Sequence, residues 1–155
     1  MKPVIITTPI YYVNDIPHIG HAYTTIAADC LARHHRLFGR QVFFLTGTDE
    51  HGQKVQEAAE KSGRTPKEHC DLTVTRFIDI WKRLDITHNA FIRTTDNDHI
   101  RHVQAALTRL KEADEIYSAD YEGWYSVAEE RFITETEKES GTFRDVRKLK
   151  ETNFF

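Results

Sequence analysis

The sequence contains little cysteine and no paired cysteine motif. Only Cys30 and Cys70 occur among its 155 residues. Both lie in segments with a helical pattern, and they have no C-x-x-C spacing. The sequence therefore predicts neither a disulfide framework nor a cysteine zinc site, and two unpaired thiols suit a reducing cytoplasm.

Long apolar runs and an excess of basic charge are also missing. The first apolar run turns polar at Thr7, too early for a signal-peptide core, and no later run approaches the length of a membrane span. Lys and Arg total 21 against 24 for Asp and Glu, a formal net charge of -3. We expect a cytoplasmic protein without a membrane partner, and any nucleic acid must be bound by local contacts rather than by a bulk positive field.

The residues that are present predict a folded chain with a core. Hydrophobic residues make up 39% of the sequence and charged residues 29%, as in compact globular domains. No internal repeat or low-complexity linker interrupts the pattern.

Strand-like and helix-like segments alternate along the first two thirds of the chain. Val4–Thr8 is short and β-branched, a helical pattern runs from Ile19 to Gly39, and Val42–Leu45 is a continuous apolar run typical of a strand buried on both faces. The same alternation continues with helices over 53–61 and from the capping box at Thr65, a strand over 90–93 and a helix behind Asp96. This order predicts an α/β fold with a doubly wound parallel sheet.

The pattern changes from about Ile116. Aromatic residues then alternate with polar ones, as in Tyr121 to Tyr125, which predicts antiparallel strands of a second substructure. We therefore expect one domain over residues 1–115 and the beginning of another over 116–155. The charged segments 135–139 and 144–150 are expected to face solvent.

The sequence Pro17-His18-Ile19-Gly20-His21 stands where the first loop becomes the first helix. A helix N-terminus at the carboxyl end of a parallel strand favours phosphate. Two histidines three positions apart share a helix face, so both rings can donate to the same phosphate. The alternatives are a pair of surface histidines or half of a zinc site. Gly20 leaves room for a base or ribose against the backbone.

A second candidate segment, Gly47–Lys54, follows the strand that begins at Val42. It is not a phosphate-binding P-loop, because Gln53 separates Gly52 from Lys54 and no Ser or Thr follows the lysine. Asp49 in this segment is a candidate acceptor for a cationic ligand group such as an amine, or alternatively a helix cap.

Other candidates have simpler explanations. Tyr11 and Tyr12, with Ile10, could form the wall of a small apolar pocket, although core packing is the favoured explanation for such aromatics taken alone. The pairs His34/His35 and His99/His102 have no acidic or cysteine partners in their patterns, which favours solvated histidines over metal ligands. We assign Trp81 and Trp124 to packing.

Four stretches together resemble the methionyl-tRNA synthetase family. They are Thr8–Thr24 with its histidine motif, Phe43–Gly52, Phe91–Asp96 and Tyr121–Tyr125, in that order. The histidine motif alone is shared by class I synthetases and related nucleotidyltransferases. The four stretches together cover essentially the whole chain.

The resemblance implies a Rossmann-like half-domain over 1–115 and the start of a β-rich connective insertion over 116–155. It implies an enzyme that activates methionine with ATP, supplied as its Mg²⁺ complex, to methionyl-adenylate and then transfers methionine to tRNA(Met). By similarity, the catalytic residues are His18 and His21, the ATP-binding residues are His18, Gly20, His21 and Asn14, and the methionine-binding residues are Ile10, Tyr12 and Asp49.

The chain also departs from the family pattern. Nothing in it matches the second signature, a lysine-rich loop that clamps pyrophosphate, or the helical anticodon-binding domain, so we expect an N-terminal part of a longer enzyme. Many relatives carry cysteine pairs in the insertion, but Ser126 and Glu129 stand at those places, so we expect no zinc or other metal site here.

Two alternative functions stay open on the sequence alone. One is a nucleotidyltransferase that uses the same histidine motif to transfer a nucleotide to a phosphorylated small molecule. The other is a non-catalytic fragment that binds ATP or methionine. Protein partners are not predicted.

Overall fold

The structure, a computed structural model, describes residues 2–154, except for the side chain of Phe154. The chain divides into two compact units, one ending at Arg101 and the other beginning at His102. Within the described range, no helix is long and apolar enough to cross a membrane.

The first unit has the predicted alternation of strands and helices. Its strands are β1 (Val4–Thr7), β2 (Tyr11–Tyr12), β3 (Val42–Asp49) and β4 (Ala90–Arg93), and its helices are α1 (Ile19–Leu37), α2 (Gln53–Lys61) and α3 (Pro66–Arg83). Helix α4 (Asn97–Glu112) crosses the division between the units. The α/β prediction is confirmed, while β3 extends four residues beyond the predicted Leu45.

Strand β3 is the centre of a parallel sheet. It pairs in parallel with β1, β2 and β4. The register places Tyr12 beside Asp49 and Thr48 beside Arg93. Because parallel strands end at the same edge of a sheet, the residues that end β2, β3 and β4 are neighbours at one edge.

Two buried clusters hold the helices on this sheet. Tyr11 and Val13 pack with apolar residues of α2 and α3, including Phe77 and Trp81. Phe44 of β3 packs against Ala28 and Ala32 of α1. The packing role predicted for Trp81 is confirmed, since its side chain is fully buried.

One prediction about the strands is wrong. We expected the apolar strands to be buried on both faces, but Ile5 is 72% exposed and Phe43 is 48% exposed. These two side chains are paired in register and alternate with Ile6 and Phe44, which lie under α1. The first part of the sheet is thus covered on one face only.

The second unit contains an antiparallel sheet, as predicted. Strand β5 (Ser118–Ser126) lies between β6 (Arg131–Ile133) and β7 (Val146–Phe154), and the short helix α5 (Glu135–Glu139) follows β6. Strand β7 occupies most of the segment expected only to face solvent. Its charges pair with those of β5, with Lys148 Nζ 2.7 Å from Glu122 and Lys150 Nζ 3.1 Å from Asp120.

Candidate active site

The histidine motif forms the N-terminal cap of α1. His18 precedes the helix with extended backbone, and its Nδ1 accepts a 3.1 Å hydrogen bond from the amide of Gly20. The amide of His18 in turn donates to Nδ1 of His21, also at 3.1 Å. A ring nitrogen that accepts carries no proton, so each neutral ring carries its proton on Nε2. The cap therefore leaves two Nε2–H donors for a ligand.

The two rings lie against each other. Their centroids are 3.8 Å apart with an interplanar angle of 26°. Burial lowers the pKa of His21 below its usual value, and the positive charge of a protonated His18 lowers it further. His21 is therefore a neutral hydrogen-bond donor at physiological pH.

Tyr11 supports the ring of His21 from the core. The two ring centroids are 4.9 Å apart, and the Tyr11 hydroxyl lies 2.8 Å from Thr25 Oγ1. Phe77 contacts His21 from α3, at 5.3 Å between centroids. The residue pattern alone does not distinguish Tyr11 from Tyr12, whereas the family resemblance assigns the methionine-binding role to Tyr12. Tyr11 is buried and Tyr12 is 47% exposed. Strand alternation in this short segment was the signal that could have separated them.

Gly20 is required by the cap itself. A Cβ at this position would lie 3.0 Å from Cε1 and 3.1 Å from Nδ1 of His18. Such contacts are tighter than ordinary packing allows and would push the His18 ring away. This steric reason for glycine at position 20 is additional to its predicted role of leaving room for a nucleotide.

A cavity of about 390 Å³ opens beside the cap. It is lined by eight residues between positions 10 and 21, and five of them are predicted site residues: Ile10, Tyr12, Asn14, His18 and His21. Asp49 is next to Tyr12 in the sheet register. The structure thus gathers five of the predicted site residues around one cavity and places the backbone of Asp49 beside that of Tyr12.

Asp49 ends β3 and does not cap α2. Gly52 holds the N-cap position of that helix, without a side-chain hydrogen bond. Asp49 Oδ1 instead accepts from the amide of His51 at 3.2 Å and from the hydroxyl of Thr94 at 3.4 Å. The helix-cap alternative for Asp49 is therefore wrong, and its carboxylate is held at the end of β3 by His51 and Thr94.

A buried ion pair lies directly behind Asp49. The side chain of Glu50 is fully buried, and Arg93 holds it with two hydrogen bonds of 2.6 and 2.9 Å. Burial by itself would raise the pKa of Glu50, but hydrogen bonds from Arg93, Thr95 and Thr48 outweigh that effect and lower it. Arg93 also donates to Asp71 of α3 at 2.6 Å. This ion pair ties the loop after β3 to β4 and α3.

The sequence motifs do not indicate this ion pair, because its two residues lie 43 positions apart. Charged residues that follow two apolar parallel strands were the signal that could have indicated it, because such strands end side by side.

The two cysteines take no part in a reactive site. Both are free thiols, Cys30 exposed and Cys70 buried. Burial raises the pKa of Cys70 to about 11, so the thiol stays protonated, and its sulfur lies 3.9 Å from the carbonyl oxygen of Glu50. Within residues 2–154, no group of three or more His, Cys, Asp or Glu side chains could hold a metal ion.

Two positions of interest lie in the second unit. Ser126 is fully buried, and its hydroxyl accepts a 3.3 Å hydrogen bond from the amide of Glu129, which closes the turn between β5 and β6. Trp124 does more than pack, because its Nε1 donates to Glu135 at 2.6 Å and Lys138 Nζ lies 3.4 Å from its ring centroid.

Comparisons with known proteins show the family to which the chain belongs. Residues 4–142 match the family model of the class I tRNA synthetases (M). The chain is 53% identical over 136 residues to the methionine–tRNA ligase of Halalkalibacterium halodurans and 54% identical over 132 residues to that of Thermotoga maritima. These alignments cover 88% and 85% of the chain but 21% of each relative.

Solved structures give the same result. The Mycobacterium tuberculosis methionyl-tRNA synthetase in complex with methionyl-adenylate superposes with a TM-score of 0.89 and 41% identity, over 99% of this chain and 32% of that one. A leucyl-tRNA synthetase from Agrobacterium radiobacter has a TM-score of 0.79 at 21% identity, which shows a shared fold alone. The chain, which spans about a fifth of the length of these curated relatives, belongs to the class I tRNA synthetases (M), the methionyl-tRNA synthetase family.

Proposed function

We propose that the chain forms the first part of the catalytic domain of a methionine–tRNA ligase. The observation that carries this proposal is the cap of α1, where two histidine Nε2–H donors lie beside a cavity lined also by Ile10, Tyr12 and Asn14. Asp49 is paired in register with Tyr12. The histidine donors suit phosphate oxygens, and the Asp49 carboxylate suits an ammonium group.

The proposed reaction is the activation of methionine. A carboxylate oxygen of methionine attacks the α-phosphorus of ATP, the bond to the β-phosphate oxygen breaks, and methionyl-adenylate and pyrophosphate form. Mg²⁺ enters with ATP as part of the substrate. The methionyl group then passes to the 3′-terminal ribose of tRNA(Met), with release of AMP. Translation takes place in the cytoplasm, where we place the protein.

The histidines have the role of stabilising charge. His18 and His21 would donate from Nε2 to phosphate oxygens, where negative charge moves as the α-phosphorus changes its bonds. Donors fixed before the reaction stabilise this charge without reorganisation. The neutral state of His21 fits a donor rather than a general acid, and Asn14 would reach the phosphates from the same cavity wall.

Methionine would occupy the other part of the cavity. Ile10 and Tyr12 supply an apolar wall for the thioether side chain, with Ile10 42% and Tyr12 47% exposed to the cavity and solvent. Asp49, beside Tyr12 in register, would accept the α-ammonium group. Gly20 keeps the backbone open where the nucleotide lies.

We further propose that the catalytic half-domain covers 1–115 and that a connective insertion begins at 116. The support is the interval between the end of α4 at Glu112 and the start of β5 at Ser118, where the chain changes from helices on a parallel sheet to an antiparallel sheet.

The test of the proposed function is amino-acid-dependent exchange of pyrophosphate into ATP by the complete protein. We expect exchange with methionine and none with leucine or isoleucine. Asp49→Asn should raise the KM for methionine, since a neutral amide attracts an ammonium group less, and should leave the KM for MgATP unchanged. A protein that exchanges without an amino acid, or that transfers a nucleotide to a phosphorylated metabolite, would contradict the proposal.

A further inference from the structure

The hydroxyl of Thr94 contacts three consecutive residues of the neighbouring strand end. Thr94 follows β4, is 7% exposed, and is anchored by a 3.2 Å hydrogen bond from its amide to the carbonyl of Thr48. Its Oγ1 accepts from the amide of Glu50 at 2.8 Å and lies 2.9 Å from Nδ1 of His51 and 3.4 Å from Oδ1 of Asp49.

The direction of the Thr94 hydroxyl hydrogen bond is linked to the tautomer of His51. A threonine hydroxyl has one proton and two lone pairs. The amide of Glu50 uses one lone pair, and the Asp49 carboxylate can only accept. If the hydroxyl proton points to Asp49, the remaining lone pair accepts a proton from His51, whose ring must then carry it on Nδ1. The tautomer of His51 therefore reports whether Thr94 donates to Asp49.

The contacts of Asp49 are confined to one of its two oxygens. Oδ1 accepts from the amide of His51 at 3.2 Å as well as from Thr94. The hydrogen bonds described for this carboxylate thus fall on Oδ1, and we assign Oδ2 to the ligand.

We propose that Thr94 is the positioning residue that orients Asp49 toward the α-ammonium group of the amino acid substrate. The identity of that substrate rests on the proposed function, whereas the contact between Thr94 and Asp49 does not. The buried Glu50–Arg93 ion pair lies next to Thr94 and makes its surroundings rigid. A site residue held in rigid surroundings loses less conformational entropy when the ligand binds, so less binding free energy is lost.

The kinetic test uses Thr94→Val and Thr94→Ser in the complete protein. Valine has nearly the shape of threonine but no hydroxyl, so we expect the KM for methionine in pyrophosphate exchange to rise about tenfold, the scale of one hydrogen bond to a charged group. The KM for MgATP should stay within about twofold by the same reasoning. Serine keeps the hydroxyl and should restore most of the affinity.

Thr95→Val is the matched control. Thr95 donates to the carboxylate of Glu50 rather than to Asp49, so its loss weakens the same buried cluster. We expect it to lower the melting temperature without changing the KM for methionine. An equal rise in this KM for both valine variants would mean that Thr94 acts only through stability, and would overturn the proposal.

A second comparison isolates the ammonium group. Methioninol keeps the amino group of methionine, and 4-(methylsulfanyl)butan-1-ol lacks it. Thr94→Val should weaken inhibition by the first compound about tenfold and leave inhibition by the second unchanged. If both weaken equally, Thr94 does not act through the ammonium group.

The tautomer of His51 tests the contact independently of any activity. We expect the ¹⁵N NMR shifts of His51, assigned with a His51→Gln variant, to show a proton on Nδ1 in the wild-type protein. A proton on Nε2, with Nδ1 accepting, would overturn the proposal even in an enzyme that activates methionine. Conversely, absence of methionine-dependent exchange in the wild type would contradict the proposed function, and the NMR result would still decide the contact.

Discussion

The backbone amide of His18 donates a hydrogen bond to Nδ1 of His21. This bond exists only while His21 is unprotonated on Nδ1, so the cap of α1 and the charge of His21 are linked. Both histidines should be Nε2–H tautomers in the complete protein. Two-dimensional ¹⁵N–¹H NMR of the rings measures this, and an Nδ1–H signal for His21 would contradict the described cap.

The link also predicts how stability depends on pH. The pKa of His21 in the folded protein is lowered by burial and by His18, so below the usual histidine pKa of about 6.5 the unfolded chain binds more protons than the folded one. The contribution of His21 to the free energy of unfolding is therefore present above a pH of about 6.5. It is lost as the pH falls toward the pKa of His21 in the folded protein.

Denaturant unfolding at several pH values between 5 and 8 checks this prediction, because histidines titrate in this range. His21→Asn should have a shallower loss of stability on acidification than the wild type, because asparagine does not titrate. His34→Asn, which changes an exposed histidine in the same helix, serves as the control and should retain the wild-type slope.

Gly20→Ala should separate activity from stability. The new Cβ would lie 3.0 Å from the His18 ring and displace it, while alanine is a better helix former than glycine by up to about 1 kcal/mol. The displaced ring also loses the hydrogen bond from the residue-20 amide, a cap worth about 1 kcal/mol, so we expect the two effects nearly to cancel and the KM for MgATP to rise. Calorimetry and exchange kinetics measure both, and normal ATP kinetics would show that the ring position is unimportant.

Arg93→Leu should be strongly destabilising. It leaves Glu50, whose side chain is fully buried, without its partner, and an unpaired buried charge costs about 3 kcal/mol or more. Since Arg93 is itself 22% exposed, the lower end of that range applies. The exposed pair Lys67–Asp71 provides the comparison: Lys67→Ala should change the unfolding free energy little. Equal effects of the two variants would contradict the structural role of the Glu50–Arg93 pair.

The hydrogen bond in the turn after β5 leads us to expect that removing metal ions does not change the stability. Its Ser126 hydroxyl accepts from the amide of Glu129, a contact that would hold the turn without zinc. Ser126→Ala should lower the stability by about 1 kcal/mol, whereas Ser118→Ala, at an exposed position of the same strand, should not. Treatment with EDTA should leave the melting temperature unchanged, and a large decrease would indicate a structural metal.

Much of this architecture is predictable because local patterns and tertiary packing agree. The Thr65 capping box, with proline at the next position, begins α3 as expected, and both Cys30 and Cys70 lie in helices. The position of the histidine motif at the start of α1 also followed from strand, loop and helix order.

The sequence fails to predict burial where tertiary packing, rather than the local pattern, determines which side chains are buried. Helix α1 buries Thr25, Ala28, Asp29 and Ala32, whereas the larger apolar residues Ile26 and Leu31 of the same helix are 41% and 56% exposed. Polar groups with tertiary partners, such as Asp29, which accepts from Thr87 at 2.6 and 2.7 Å, outweigh apolar periodicity. No local pattern reports such partners, since they are far away in the sequence.

Part of the candidate site was hidden for the same reason. The Glu50–Arg93 pair and the Thr94 hydroxyl join residues more than 40 positions apart, and only the parallel register of β3 and β4 brings them together. Sequence motifs predict which residues contact ligands. The residues that hold those contacts in place became visible only in the folded chain.

The central claim is that the Nε2–H donors of the α1 cap serve adenylate formation. His21→Asn tests it most directly, because the asparagine oxygen can still accept from the His18 amide while the Nε2–H donor is removed. In single-turnover reactions of the complete protein with methionine and MgATP, we expect adenylate formation to slow by a factor on the order of 10² with little change in melting temperature, and His34→Asn to react like the wild type. A wild-type rate in a folded His21→Asn protein would contradict the account.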